Sequence, residues 1–557
     1  MSSLAAAAVP ATATTEVWSL RPAAVLAIPI VAISLIFLSK DRPNVREGWS
    51  LLAAVSMFAI VASMVPPVLD GQVLYTDLGT FVSDIELQIR ADALGMVFAL
   101  VSSGLYVVTV LYSIGYMRGH HEPFQTRFFA MLCTSVGAAL GVAFAANLFV
   151  LLIFYEILTL ATYPLVAHDE SREARVSGFK YLAYALSGGI AIFGGMVVVF
   201  ALTGDISFTR GGIEGMAAIA EENTWAARGA FALLAGGFAV KAGLMPVHAW
   251  LPSAMVAPTP VSGLLHAVAV VKAGAFGIAR TVIDVFGPAT VGDLGMGVPL
   301  AILAATTILV ASLFALRQDN LKARLAYSTI AQLSYIVLGL SLLTSLGLMG
   351  GLLHIPAHAF AKLTLFLCAG ALYIELDVKY ISEMAGVGKR MPITMGAFGL
   401  ASFSMAGIPV LAGFVSKWHI MAGGVDAGYL LVVPVLVLSG ALNIAYFWPI
   451  VYTAFFEDEE AAGQKPVVEH RFGGETDHTA IRPDGGTSAD DHHGHEQLPP
   501  ADGWDRASLR VEETTVLMLV PLMTTATLML LFGIAPDRMV FLELIQLIVD
   551  GAMGVSA

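Results

Sequence analysis

Five charged side chains stand where charge is costly. Lys241, Lys272, Lys362, Lys417 and Glu156 each interrupt a long apolar run. At the centre of a membrane helix each would cost about 2.5–3.5 kcal/mol, so five unpaired groups cost roughly 10 kcal/mol or more. Residues of this kind face the interior of a helix bundle and mark ion pathways. A lysine withdrawn from water can exchange its proton near neutral pH, and a nearby carboxylate restores its charge. Glu156 and Lys241 could form such a pair. The competing reading is a set of static salt bridges that lock helices together. His354, His358 and Lys362 extend the pattern. Their i, i+4, i+8 spacing lines three titratable groups along one helix face, about 6 Å per step, which suits a proton relay. Pro356 lies between the two histidines and could rotate them apart. His266 and Lys272 form a looser pair. His354-Ile-Pro-Ala-His358 lacks the glutamate of a zinc-protease motif, so no metal is expected there.

The elements that must position these groups are membrane helices. Of the 557 residues, 57% are hydrophobic and 13% charged, against about 25% charged in soluble domains. This composition excludes an ordinary soluble enzyme, a disordered chain and a nucleic-acid binder. The two cysteines, Cys133 and Cys368, lie in apolar runs and give neither a disulfide framework nor zinc spacing. Continuous apolar stretches of about 17–25 residues read as transmembrane helices. Fourteen are expected, near 20–39, 50–68, 92–116, 127–146, 148–168, 178–203, 229–251, 261–286, 297–316, 323–343, 347–374, 392–421, 428–456 and 513–535. Only Asn147 separates the fourth from the fifth. The runs do not alternate, which excludes a membrane barrel.

Loop charge orients the bundle. Nineteen Lys and Arg fall after odd-numbered helices and six on the other side, Arg90 and Arg280 among the six. The positive-inside rule then puts odd exits in the cytoplasm and both termini outside. No basic residue precedes Arg21, which argues against a cleaved leader. Residues 70–90 alternate apolar positions with turn residues and suggest an outside β-hairpin. Residues 457–512 form an expected cytoplasmic insert, with fourteen acidic and five basic residues, carrying −9 of the net −13. Its His470, His478, His492, His493 and His495 invite a metal-binding reading, against which stands a plain solvated acidic loop.

Two helices are expected to be broken. Pro246 in the seventh run and Pro409 in the twelfth each remove a backbone hydrogen bond. Both runs carry Gly-Phe-x-x-Lys, as Gly237–Lys241 and Gly413–Lys417. Paired interrupted helices in two halves point to inverted repeats around a midplane ion site.

The segments Lys241-Ala-Gly-Leu-Met-Pro-Val-His248-Ala-Trp-Leu-Pro, Ala257-Pro-Thr-Pro-Val-Ser-Gly-Leu-Leu-His266 and Val271-Lys-Ala-Gly resemble the antiporter-like subunits of respiratory complex I and the Mrp cation/proton antiporters. So do Asp319–Ser328, Ala331-Gln-Leu-Ser-Tyr335 and the row His354, His358, Lys362. Phe154–Pro164 and Ile381–Pro392 are most similar to the Mrp D-type subunit. The resemblance spans about residues 90–456. It implies fourteen helices with two inverted five-helix repeats. It divides the chain into 1–91 (two helices and the hairpin), 92–126, the repeats 127–290 and 291–456, the insert 457–512 and a last helix in 513–557. It implies that Glu156 and Lys241 are the coupled pair of a first half-channel, with His248 in the same motif. Lys272 with His266 would open a central axis continued by His354, His358 and Lys362. Lys417 would serve a second half-channel. The implied activity is proton translocation, with possible Na+ or K+ exchange, within a multi-subunit assembly in the plasma membrane. The alternative is a proton-pumping arm of a redox-driven complex such as a complex I-like dehydrogenase or a membrane-bound hydrogenase. No nucleophile–base pair, phosphate loop, dinucleotide fingerprint or iron–sulfur spacing appears, so neither a catalytic site nor a cofactor is expected.

Overall fold

The computed structural model describes residues 15–82, 85–120, 122–457 and 513–554. The expected insert at 457–512, with its histidines, lies outside the described residues apart from Glu457. The long helices are α1 (Arg21–Leu38), α2 (Pro43–Ser63), α3 (Ala93–Gly119), α4 (Gln125–Ala143), α5 (Leu148–Val166), α6 (Arg172–Thr203) and α7 (Thr224–Ala242). They continue as α8 (Thr259–Val285), α9 (Gly297–Leu316), α10 (Leu321–Ser341) and α11 (Ser345–Leu376). The last are α12 (Pro392–Ala406), α13 (Ala412–Asp426), α14 (Val432–Phe456), α15 (Val516–Ile534) and α16 (Val540–Met553). By length and hydropathy, 11 helices among the described residues can cross a membrane. The other three expected stretches fall on α7, on α10 and on the divided pair α12–α13, which are more polar or shorter. The chain is a polytopic helical membrane protein.

Helix starts follow local capping chemistry. Asp92 accepts from Gly95 N at 2.7 Å, Asn147 from Val150 N at 2.9 Å, Ser171 from Ala174 N at 3.1 Å and Asn320 from Ala323 N at 3.1 Å. Each side chain satisfies a backbone donor that the first turn leaves unpaired. Asn147 therefore separates α4 from α5. Its amide also donates to Glu86 O at 2.8 Å and ties the turn to the sheet.

Helices α3, α8 and α11 form the interior and are buried on nearly every side, whereas α1, α2, α6 and α9 expose apolar faces. A helix apolar all round is a core helix, and one-sided burial marks the periphery. Helix α4 packs on α5 and α6 on α7; α9 packs on α10 and α11 on α13. The order of contacts thus runs alike in the two halves.

The hairpin comprises β2 (Gln72–Val82) antiparallel to β3 (Ile85–Ala91), with Leu74 opposite Ala91. An additional strand, β1 (Thr15–Trp18), pairs parallel with β2; its four residues are too few to carry a periodic signal.

Three basic residues counted with the loops are buried instead. Arg280 lies within α8 at 1% exposure. Its guanidinium donates to Asp92 at 2.7 and 2.9 Å and to Asp284 at 2.7 Å. Arg90 approaches Asp92 at 3.7 Å, so two arginines balance two aspartates. Arg46 bonds Gln125 at 2.7 Å and pairs with Glu47. Arg324 in α10 donates to Gln318 O and Tyr446 O. Each lies within a turn or so of a helix end, where sequence alone does not separate a loop from a helix terminus.

Two outcomes follow. Arg280→Met strands the buried Asp284 carboxylate and leaves Asp92 to Arg90 alone. It should cost about 3–5 kcal/mol, read as a lowered melting midpoint in detergent. Glu122, in the loop after α3, is pushed up from 4.5 to about 7 by burial and by the Asp169 carboxylate, against the pull of Lys322. The folded state therefore holds this proton more tightly than the unfolded chain does. The contribution of Glu122 to stability falls as pH rises from about 4.5 to 7. Glu122→Gln should flatten the melting midpoint across that window relative to the native chain.

Candidate proton pathway

Both helix breaks are present, and both prolines lie in non-helical segments rather than in kinked helices. Helix α7 ends at Ala242, Gly243 adopts φ 71°, and the Met245–Pro246 bond is cis. A short turn of helix resumes at Trp250. Trp250 Nε1 donates to Val240 O at 2.8 Å and satisfies a carbonyl the break frees. Gly407 adopts φ 89° and Val410 φ 75° between α12 and α13, around Pro409. Gly413 N donates to Ser404 Oγ at 3.1 Å across that break. Lys241 precedes its break, whereas Lys417 follows its own. The shared Gly-Phe-x-x-Lys therefore does not mark equivalent positions, contrary to the reading of the motif as a repeat signal.

In the first half, Lys241 is fully buried, and its ammonium donates to Tyr155 O at 2.5 Å. It also lies 3.3 Å from the centroid of the Tyr155 ring. Glu156, the next residue, forms no ion pair with it; both carboxylate oxygens are shielded and have no hydrogen-bond partner among the described residues. The expected pair is therefore adjacent but not joined. Gly189 of α6 lies against that carboxylate so closely that a Cβ there would overlap it. His248 lies in the segment after the first break, half-buried, with its ring 6.4 Å from Tyr327.

In the centre, Lys272 Nζ lies 2.7 Å from His358 Nδ1. Helix α11 runs unbroken through Pro356, and the His354 and His358 rings stack at 6.0 Å. The proline therefore leaves the two imidazoles aligned. Lys362 departs from the row: it donates to Ser328 Oγ at 2.9 Å and Leu325 O at 3.2 Å on α10. His266 is buried against Phe366, and neither ring nitrogen is bonded among the described residues. It sits in a π-turn, Leu264–Val268, within α8. Such turns mark functional sites more often than chance and had no signal in the sequence pattern. Among the described residues no hydrogen bond joins Lys241 to Lys272.

In the second half, His354 Nδ1 meets Ser416 Oγ at 2.8 Å, and its Nε2 meets Gln332 Oε1 at 3.1 Å. Gln332 Nε2 donates to Asn443 Oδ1 at 3.1 Å and to Met405 O at 3.4 Å. Lys417 donates to the same Met405 carbonyl at 2.5 Å. Tyr446 bonds both Asn443 and, at 3.1 Å, Ser328. A polar chain thus connects Lys362, Ser328, Tyr446, Asn443, Gln332, His354 and Ser416. Gln332, Asn443, Tyr446 and Ser416 were not foreseen as site residues. An asparagine in the apolar run 428–456 was the one signal available for Asn443.

The crowding at Gly189 has a measurable consequence. Gly189→Ala should displace the Glu156 carboxylate, and because that group is the far end of a flexible side chain the melting midpoint should fall only slightly, by no more than about 1 kcal/mol of stability. Gly194→Ala, on the same helix with its nearest neighbour 3.8 Å from the added carbon, should raise the melting midpoint slightly, since alanine is about 0.5–1 kcal/mol better than glycine inside a helix.

This arrangement has relatives. Residues 145–442 match the NADH:quinone oxidoreductase/Mrp antiporter transmembrane family, and 77–129 match the complex I chain 5 N-terminus family. NADH-quinone oxidoreductase subunit N of Desulforudis audaxviator is 33% identical over 69% of this chain and 76% of its own length. A probable K(+)/H(+) antiporter component of Rhizobium meliloti is 30% identical over 76% of this chain. A Na(+)/H(+) antiporter component of Alkalihalophilus pseudofirmus is 32% identical over 70% of this chain. The matched regions cover only 42% and 49% of these two relatives. The fold is similar to that of one polypeptide in the Mrp complex from Dietzia sp. DQ12-45-1b, with a TM-score of 0.77 and 20% identity over 96% of this chain and 97% of that one. It is also similar to one polypeptide of the membrane-bound sulfane sulfur reductase, an archaeal respiratory membrane complex, with a TM-score of 0.75 and 23% identity over 97% and 99%. From its family match and from a relative 33% identical over 69% of its length, the chain belongs to the NADH:quinone oxidoreductase/Mrp antiporter transmembrane family.

Proposed function

We propose that this chain is a proton-translocating membrane subunit of a multi-subunit cation/proton antiporter. The observation that carries the reading is the buried polar axis from Lys272 through His358 and His354 to Gln332 and Ser416. An apolar bundle does not retain so many titratable groups for packing alone. Protons enter each half at its broken helix, where Lys241 and Lys417 stand. Glu156 waits beside Lys241 as the alternative partner of its ammonium. When Lys241 swings to Glu156, its positive charge leaves the Tyr155 carbonyl for a carboxylate. His248 belongs to the entry region of the first half, and His266 and Lys362 flank the axis. Each half is one five-helix repeat, 127–290 and 291–456, inverted relative to the other; the like order of helix contacts supports this division. The exchanged cation is Na+ or K+, as the names of the antiporter relatives suggest. The partners are other membrane subunits. The site lies in the plasma membrane, with both termini outside and 457–512 in the cytoplasm. The chain has no catalytic centre of its own.

The second reading is a proton-pumping arm of a redox-driven complex. It is favoured by the quinone oxidoreductase name of one relative and by the respiratory complex among the structural neighbours.

The test is transport by the intact assembly in proteoliposomes with an internal pH dye. An imposed Na+ or K+ gradient should drive protons the opposite way. Lys241→Met and Glu156→Gln should each lower that flux at least about tenfold, as loss of a proton carrier does, while the composition of the assembly stays unchanged. Native flux in both variants means the charges are static. Proton movement only on addition of a reductant and quinone establishes the redox reading instead.

A further inference from the structure

We propose that the rings of Tyr155 and Tyr335 are the resting seats of Lys241 and Lys417, and that each lysine must leave its ring for a proton to pass. The inference rests on the translocation reading above and adds two positioning residues to it. In the first half, the Lys241 ammonium lies 3.3 Å from the Tyr155 ring centroid and bonds the carbonyl of the same residue. In the second, Lys417 lies 4.6 Å from the Tyr335 ring centroid and bonds the Met405 carbonyl. The two lysines occupy opposite sides of their helix breaks, yet each meets the same combination of one backbone carbonyl and one aromatic face. A ring face carries negative charge density, and without water it holds a cation strongly.

Both rings are held by neighbours. Tyr155 stands edge-on to Phe238, whose ring lies 5.5 Å away on the helix that carries Lys241. Tyr335 donates its hydroxyl to Ser439 Oγ at 2.6 Å. Among the described residues the Tyr155 hydroxyl has no hydrogen-bond partner, and it is the ring face that meets the lysine. Glu156 follows Tyr155 directly, and successive residues on a helix point about 100° apart. Helix α5 therefore offers Lys241 an uncharged seat and a charged one from neighbouring positions. The ring keeps the ammonium off the carboxylate in the resting state. Without it the lysine settles into an ion pair with Glu156 and stays there.

The experiment uses the whole assembly in proteoliposomes and measures cation-driven proton flux. Tyr155→Phe keeps the face and should transport within about twofold of the native chain, whereas Tyr155→Leu should lose about tenfold or more. Replacing Tyr155 with pentafluorophenylalanine keeps an aromatic ring but reverses the charge of its face, and should lower flux at least as far as Tyr155→Leu does. A purely structural ring would tolerate fluorination. Equal flux in the phenylalanine and pentafluorophenylalanine proteins overturns the inference, even where Tyr155→Leu fails to assemble. Equal loss in Tyr155→Phe and Tyr155→Leu also overturns it. Lys241→Met separates this failure from failure of the translocation reading. If Lys241→Met abolishes flux while the fluorinated ring is harmless, only the seat is wrong. If Lys241→Met transports normally, the reading itself falls.

Discussion

Holding an ammonium group in an apolar bundle is the constraint on which the rest of the structure depends. Four lysines are buried at 5% exposure or less, and each must recover what it loses on leaving water. None of the four forms an ion pair among the described residues. Lys241 and Lys417 take one backbone carbonyl and one aromatic ring each. Lys362 takes a carbonyl and a hydroxyl, and Lys272 takes an imidazole nitrogen. These are weak partners compared with carboxylates. A lysine so held can be moved or discharged, whereas one locked to a carboxylate resists both. The helix breaks serve the same end. Met405, whose carbonyl receives Lys417, stands in the last turn of α12 beside its break, and helix C-terminal ends favour positive charge.

Placing the strong ion pairs elsewhere is consistent with this division of labour. The Arg90, Asp92, Arg280 and Asp284 cluster ties β3, the start of α3 and the end of α8 together. Its charges balance and its geometry is tight, so it fixes structure. The lysine axis contains almost no fixed negative charge and is free to respond. Glu156 is the exception: a carboxylate shielded from water, unbonded and one residue from a lysine's seat.

Much of this was legible in the residues. Charged groups inside apolar runs identified Glu156 and the four lysines without further help, because their cost admits few explanations. Asn147, Pro246 and Pro409 marked real discontinuities, since a cap and a missing donor act locally. What failed to show depends on packing between distant segments. Arg280 reads as a loop residue until Asp92, far away in sequence, is brought against it. Gln332 and Asn443 gain meaning only when α10 and α14 meet. The matching Gly-Phe-x-x-Lys pair misled because a motif does not say on which side of a break its lysine falls. Nor did the i+4 spacing show that Lys362 would turn away from His358 toward Ser328.

In the proposed cycle Glu156, beside Lys241, gains and loses a proton during turnover. Infrared difference spectroscopy of the reconstituted assembly, recorded as a cation gradient is applied, tests it most directly. A protonated-carboxyl band should change during turnover in the native chain and disappear in Glu156→Gln. A difference spectrum with the same carboxyl bands in both proteins would contradict it, since Glu156 would then keep one protonation state throughout.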